Sequence, residues 1–122
     1  VEAMGQEVRL TEQKGPELPD PIRTRQQVER LVVPDPIEKT GFVMEIIKTL
    51  RRELDGAVPL IGFAGAPWTL ASYLVEGGPS KEHARTKAMM FGAPEVWDAL
   101  MRQQFRLRRA HLGGESPADV GP

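Results

Sequence analysis

Apolar and polar positions alternate weakly in Glu7–Lys14 (EVRLTEQK), where Val8 and Leu10 share a side and predict a short strand or hairpin arm. The proline-rich GPELPDP, residues 15–21, reads as a connection. Thr24-Arg25-Gln26-Gln27 has capping-box spacing: a threonine oxygen for free helix N–H groups, and a glutamine three residues on. Val28 and Leu31 then give a short helix one apolar edge. In Pro34-Asp35-Pro36 that helix ends and another starts, with Asp35 suited to the N-cap, Pro36 to the first helical position and Glu38 to the third. Val43, Ile46, Ile47, Leu50 and Leu54 recur at three- and four-residue steps, a one-sided stripe from which Lys48, Arg51, Arg52 and Glu53 mostly fall away. Asp55-Gly56 supplies the stop.

Directly after it, Val58–Phe63 (VPLIGF) is a continuous apolar run, the pattern of a parallel strand covered by helices on both faces. A loop leads to a helix over Trp68–Val75, a Gly77-Gly78-Pro79 break, and a further helix with Ser80 as its cap. The last strong element begins at Pro94-Glu95, with Trp97, Met101 and Phe105 repeating every four residues. Helix, tight turn, buried strand, loop, helix is the rhythm of α/β architecture. The strands are too few to close a (β/α)8 barrel, which takes roughly 250 residues. A barrel, if that is the architecture, is present here as a slice.

Composition narrows the function classes. A chain of 122 residues with formal net charge −1 has no global attraction for nucleic acid or an anionic membrane. Without cysteine it has no disulfide and no thiolate site. No apolar run approaches the roughly 20 residues of a membrane span, and no stretch resembles a signal peptide, so the expected location is cytoplasmic. His83 and His111 are isolated and read as solvent-facing or incidental rather than as metal ligands. Glu2, Glu7 and Glu12 form no paired acid/base constellation, and Arg102, Arg106, Arg108 and Arg109 read as a solvated helix face. Val1 is not a methionine, and GGESPADVGP at the other end has little to bury, so both ends read as cut.

The chemistry concentrates in Gly62-Phe63-Ala64-Gly65-Ala66-Pro67, where a strand end passes into a loop, the usual ligand position of α/β folds. Small residues let backbone approach a ligand closely. Pro67 at the next helix's first turn leaves nearby N–H groups free to face an anion. Tyr73, the chain's single tyrosine, adds an amphipathic ring and one hydroxyl. The same residues equally suit a plain strand-to-helix turn, with Trp68 in the core and Tyr73 structural. Neither GxGxxG nor a Walker lysine motif occurs.

GFAGAPWTLASYLVEGG, residues 62–78, strongly resembles the signature of the uroporphyrinogen decarboxylase family. The resemblance extends through Ser80-Lys81, Ala84-Arg85-Thr86-Lys87-Ala88-Met89-Met90 and Pro94-Glu95. Upstream it takes in Glu2-Ala3-Met4-Gly5, Gly15-Pro16 and Val58-Pro59-Leu60-Ile61. It implies an α/β chain that is a partial TIM (β/α)8 barrel, a fragment of about one third of the full enzyme. Residues 1–104 would belong to that domain and residues 105–122 to a divergent, disordered tail offering neither helix nor strand.

The implied activity is decarboxylation of the four acetate groups of uroporphyrinogen III to give coproporphyrinogen III, with no metal or organic cofactor and a homodimeric full-length enzyme. The resemblance gives Tyr73 a hydrogen-bonding role in the substrate cleft and makes Phe63 part of the pocket lining. It assigns no catalytic residue to this chain: the family's aspartate and arginines belong to segments before EAMG, and its later serine or threonine and its histidine to segments downstream. Glu76 reads as structural. Barrel relatives that transfer methyl groups to thiols use zinc with cysteine and histidine ligands, and a chain without cysteine that keeps APWTLASYLVEGG fits them less well. A non-enzymatic interaction module, or an inert truncated product, is the contrasting class.

Overall fold

A computed structural model describes residues 1–12 and 15–113, without the side chains of Pro36 and residues 111–113. A 3₁₀ turn at Glu2–Met4 precedes strands β1 (Arg9–Thr11) and β2 (Gly15–Glu17) and helices α1 (Arg25–Arg30), α2 (Pro36–Leu54), α3 (Pro67–Glu76), α4 (Ala84–Gly92) and α5 (Pro94–Gly113). The expected hairpin arm is β1, which pairs antiparallel with β2 so that Arg9, Leu10 and Thr11 lie opposite Glu17, Pro16 and Gly15. Part of the expected proline-rich connection is therefore a strand.

The caps form where the side-chain chemistry places them. Gln27 N donates to Thr24 Oγ1 at 3.3 Å while Gln27 Oε1 accepts from Thr24 N at 3.1 Å, closing the capping box of α1. Asp35 Oδ1 accepts from the amides of Ile37 and Glu38 at 2.8 and 3.2 Å at the start of α2. Asp55 itself takes the left-handed conformation that ends α2, followed by Gly56, also left-handed.

Packing centres on α5. Helices α1, α3 and α4 each dock on it, and α3 also packs on α4. Their shared core contains Met4, Ile22, Val28, Leu31, Leu74, Val75 and Leu100. The chain between β2 and α1 is tied to the end of α3: Leu18 N donates to Gly77 O at 2.7 Å and Ile22 N to Leu74 O at 2.8 Å. Two carbonyls that a helix C-terminus leaves without intrahelical partners are thereby satisfied. Gly77 closes α3 at φ 85°, and a Cβ there would lie 3.3 Å from both Leu18 O and Pro21 Cβ.

Three expectations are corrected. Val58–Phe63 is not a strand: it runs without regular structure and is exposed, Ile61 by 85% and Phe63 by 97%. A buried parallel strand draws its stability from neighbours on both edges and helices on both faces. The only sheet among the described residues is the β1–β2 hairpin, so they form a helical cluster with a hairpin rather than a barrel. The stripe of α2 is likewise largely uncovered, with Ile46, Ile47 and Leu50 exposed and Val43 and Leu54 only half-buried.

Second, α5 does not stop near residue 104. It continues to Gly113, with Gln104 and Ala110 fully buried, so the expectation of neither helix nor strand from Phe105 onward fails for residues 105–113. Residues 114–122 of that tail lie outside the described residues. The buried line of α5 passes through Trp97, Leu100 and Gln104, while Phe105 is exposed. Four-residue steps advance 40° per repeat on a helix of 3.6 residues per turn, which carries Phe105 off the packed face. Third, α4 starts at Ala84 with His83, not Ser80, at its N-cap. Ser80 Oγ accepts from His83 N at 3.1 Å, one step before the helix.

Candidate functional site

The glycine–proline stretch emerges as a loop-to-helix corner. Pro67 occupies the first position of α3, and Ala66 before it is extended and provides no side-chain cap. Ala71, Ser72, Leu74 and Val75 form the face of α3 that packs inward. Successive residues turn 100° around the axis, so Tyr73 falls on the opposite side, 36% exposed. Its hydroxyl makes no hydrogen bond to any described residue. Trp68 is 39% exposed and lies outside the hydrophobic core, against the expectation of a core residue.

In front of the corner is a cleft of about 230 Å³, lined by Phe63, Ala64, Gly65 and Leu70 on one side and by Met4, Leu107 and Arg108 among others on the other. Leu70 lies across Gly65, where a Cβ would come 3.3 Å from Leu70 Cδ2, so a side chain here would have to shift the leucine tip by a few tenths of an ångström. Phe63 borders this cleft and Tyr73 is not among its lining residues, so the described residues do not gather the two around one cavity. The volume is below the roughly 300–1,000 Å³ of small-molecule pockets.

Beside the corner is a polar cluster. Ser72 Oγ and His83 Nδ1 are hydrogen-bonded at 2.8 Å. The imidazole meets the Trp68 ring edge-to-face, centroids 5.0 Å apart. Glu76 Oε1 accepts from both Thr86 N and Thr86 Oγ1 at 2.8 Å, and so caps α4 from a neighbouring helix. His83 is thus half-buried and engaged, correcting the expectation of a solvent-facing residue. The side chain of His111 lies outside the described residues. Among the described residues no group of three His, Cys, Asp or Glu side chains could hold a metal ion.

Sequence reasoning missed this cluster because its partners are separated by a glycine break. His83 is eleven positions after Ser72, but α3 ends at Glu76 and α4 begins only at Ala84, so no helical period carries across the break between them. The one available hint was Glu76, a carboxylate upstream of a helix start with threonine in its first turn.

The family model for uroporphyrinogen decarboxylase (URO-D) matches residues 1–112. The uroporphyrinogen decarboxylase of Nocardioides sp. (strain ATCC BAA-499 / JS614) is 55% identical over 112 residues, covering 92% of this chain and 32% of the relative. That of Xanthomonas axonopodis pv. citri (strain 306) is 51% identical over 117 residues, 96% of this chain and 33% of the relative. That of Xanthomonas oryzae pv. oryzae (strain PXO99A) is 52% identical over 100 residues, 82% and 28%. The chain therefore spans about a third of the length of the relatives it matches.

Proposed function

The chain belongs to the uroporphyrinogen decarboxylase family, and from that premise we propose that it forms one wall of a (β/α)8-barrel decarboxylase acting on uroporphyrinogen III. In this reading Phe63 supplies apolar lining and Tyr73 a hydrogen bond to the substrate. The observation that carries it is the solvent-facing side of the Gly62–Gly78 corner: an exposed phenyl ring and a phenol hydroxyl without a described partner.

The chemistry is decarboxylation of pyrrole acetates. The ring carbon gains a proton and the ring becomes cationic. The bond between the acetate methylene and its carboxylate then breaks, releasing carbon dioxide as the electron pair returns to the ring. Proton transfer to the exocyclic carbon and loss of the ring proton leave a methyl group, so each acetate consumes one proton net. A carboxylate near the pyrrole N–H groups stabilises the cationic stage, and arginines hold the substrate carboxylates. Both are assigned to other segments of the complete enzyme, as is homodimer formation. No step calls on a metal or organic cofactor. No described helix is long and apolar enough to cross a membrane, and the proposed location is the cytoplasm.

The 122-residue polypeptide by itself is expected to show no turnover, because the gripping and cation-stabilising groups come from elsewhere. Incubation with uroporphyrinogen III, followed by chromatography of the oxidised porphyrins, tests this. Coproporphyrin formed at a rate above a heat-killed control contradicts it.

A further inference from the structure

We propose that His83 is a positioning residue that sets the orientation of the Tyr73-bearing turn of α3, an inference that rests on the substrate role just given to Tyr73. The imidazole reaches back across the Gly77–Glu82 break to Ser72, the residue adjoining Tyr73, at 2.8 Å, and stands against Trp68 one helical turn earlier. It thus touches α3 on both sides of the turn that leads into Tyr73.

Hydrogen-bond bookkeeping explains why Ser72 depends on it. The Glu76 oxygen accepts from Thr86 Oγ1 at 2.8 Å, which engages the threonine proton. The Thr86–Ser72 contact is longer, 3.4 Å. His83 is then the near partner of the Ser72 hydroxyl, which is only 3% exposed and has little access to water. The same burial rules out Ser72 as a nucleophile despite its histidine neighbour. His83 holds this place in the left-handed conformation at φ 50°, anchored through its own backbone by Ser80 Oγ and Lys87 N.

The test places residues 1–112 of this chain in the corresponding segment of the Nocardioides relative and compares His83→Gly with His83→Asn, each with and without Tyr73→Phe. Glycine accepts the left-handed backbone and removes the side chain; asparagine accepts it too and keeps an amide near the Nδ1 position, whose oxygen accepts and whose nitrogen donates. The expected result is a fall in kcat/KM of about 3- to 10-fold for His83→Gly, the size of one hydrogen bond. It is expected to be carried by KM, largely rescued in His83→Asn and absent in the Tyr73→Phe background. An equal loss in both backgrounds, or no loss while Tyr73→Phe is impaired, overturns the proposal. If Tyr73→Phe has no effect, the substrate role of Tyr73 fails separately. ¹⁵N spectra of the 122-residue chain then decide the clasp, and decide it also if the chimera does not fold. The Ser72 signal is expected to move in His83→Gly and return in His83→Asn, the Trp68 signal to move in both, while Leu100 stays put. Unmoved signals overturn it.

Discussion

At the residue scale, exposure and partnering separate function from architecture better than residue type does. Tyr73 and Leu74 are neighbours in sequence, yet one is 36% exposed and the other fully buried. Tyr73→Phe in a complete enzyme is expected to lower kcat/KM by roughly 3- to 10-fold, since one hydrogen bond contributes about 0.5–1.5 kcal/mol. Its thermal midpoint should not move; unchanged kinetics at every substrate level would count against the role. Gly77 is the architectural opposite. With φ 85° and a Cβ position crowded by Leu18 O, Gly77→Ala is expected to cost about 1–2 kcal/mol from the backbone alone. Urea unfolding measures that loss, and an unchanged midpoint would show that the α3 terminus relaxes freely.

Elements whose signals are local were legible in the sequence; those defined by neighbours were not. Thr24 with Gln27, and Asp35 with Pro36, each carry within four residues all that their caps require, and both form. The apolar run Val58–Phe63 says only that burial is wanted, and among the described residues no strand lies beside it. The four-residue repeat in α5 found the helix but not its buried line, which follows Leu100 and Gln104. At the site, the corner was readable from its glycines and proline. The His83–Ser72 pairing was not, because a loop closes it. Leu100→Ala, at the centre of the α1, α3 and α4 contacts, is expected to cost about 2–5 kcal/mol, enough to unfold a cluster of this size. Native-like amide dispersion in that variant would mean that α5 is not the organising helix.

For the whole molecule, the uncovered faces are as informative as the core. Phe42, Ile46 and Leu50 on α2, with Ile61 and Phe63 on the following segment, present a large exposed apolar surface. The 122-residue chain is therefore expected to self-associate. Ile46→Lys with Leu50→Lys should reduce association in sedimentation velocity, and should change unfolding free energy by less than about 0.5 kcal/mol because neither residue is packed. A large loss of stability would show that the α2 stripe is already engaged. The central claim is that residues 1–112 are an interchangeable wall of a uroporphyrinogen decarboxylase. Its most direct test is porphyrinogen turnover by the Nocardioides enzyme carrying this segment in place of its own. Coproporphyrinogen III formed within about tenfold of the parent rate, a transition-state difference under about 1.4 kcal/mol, is the predicted result. A folded chimera with the parent's thermal midpoint and no product would contradict it.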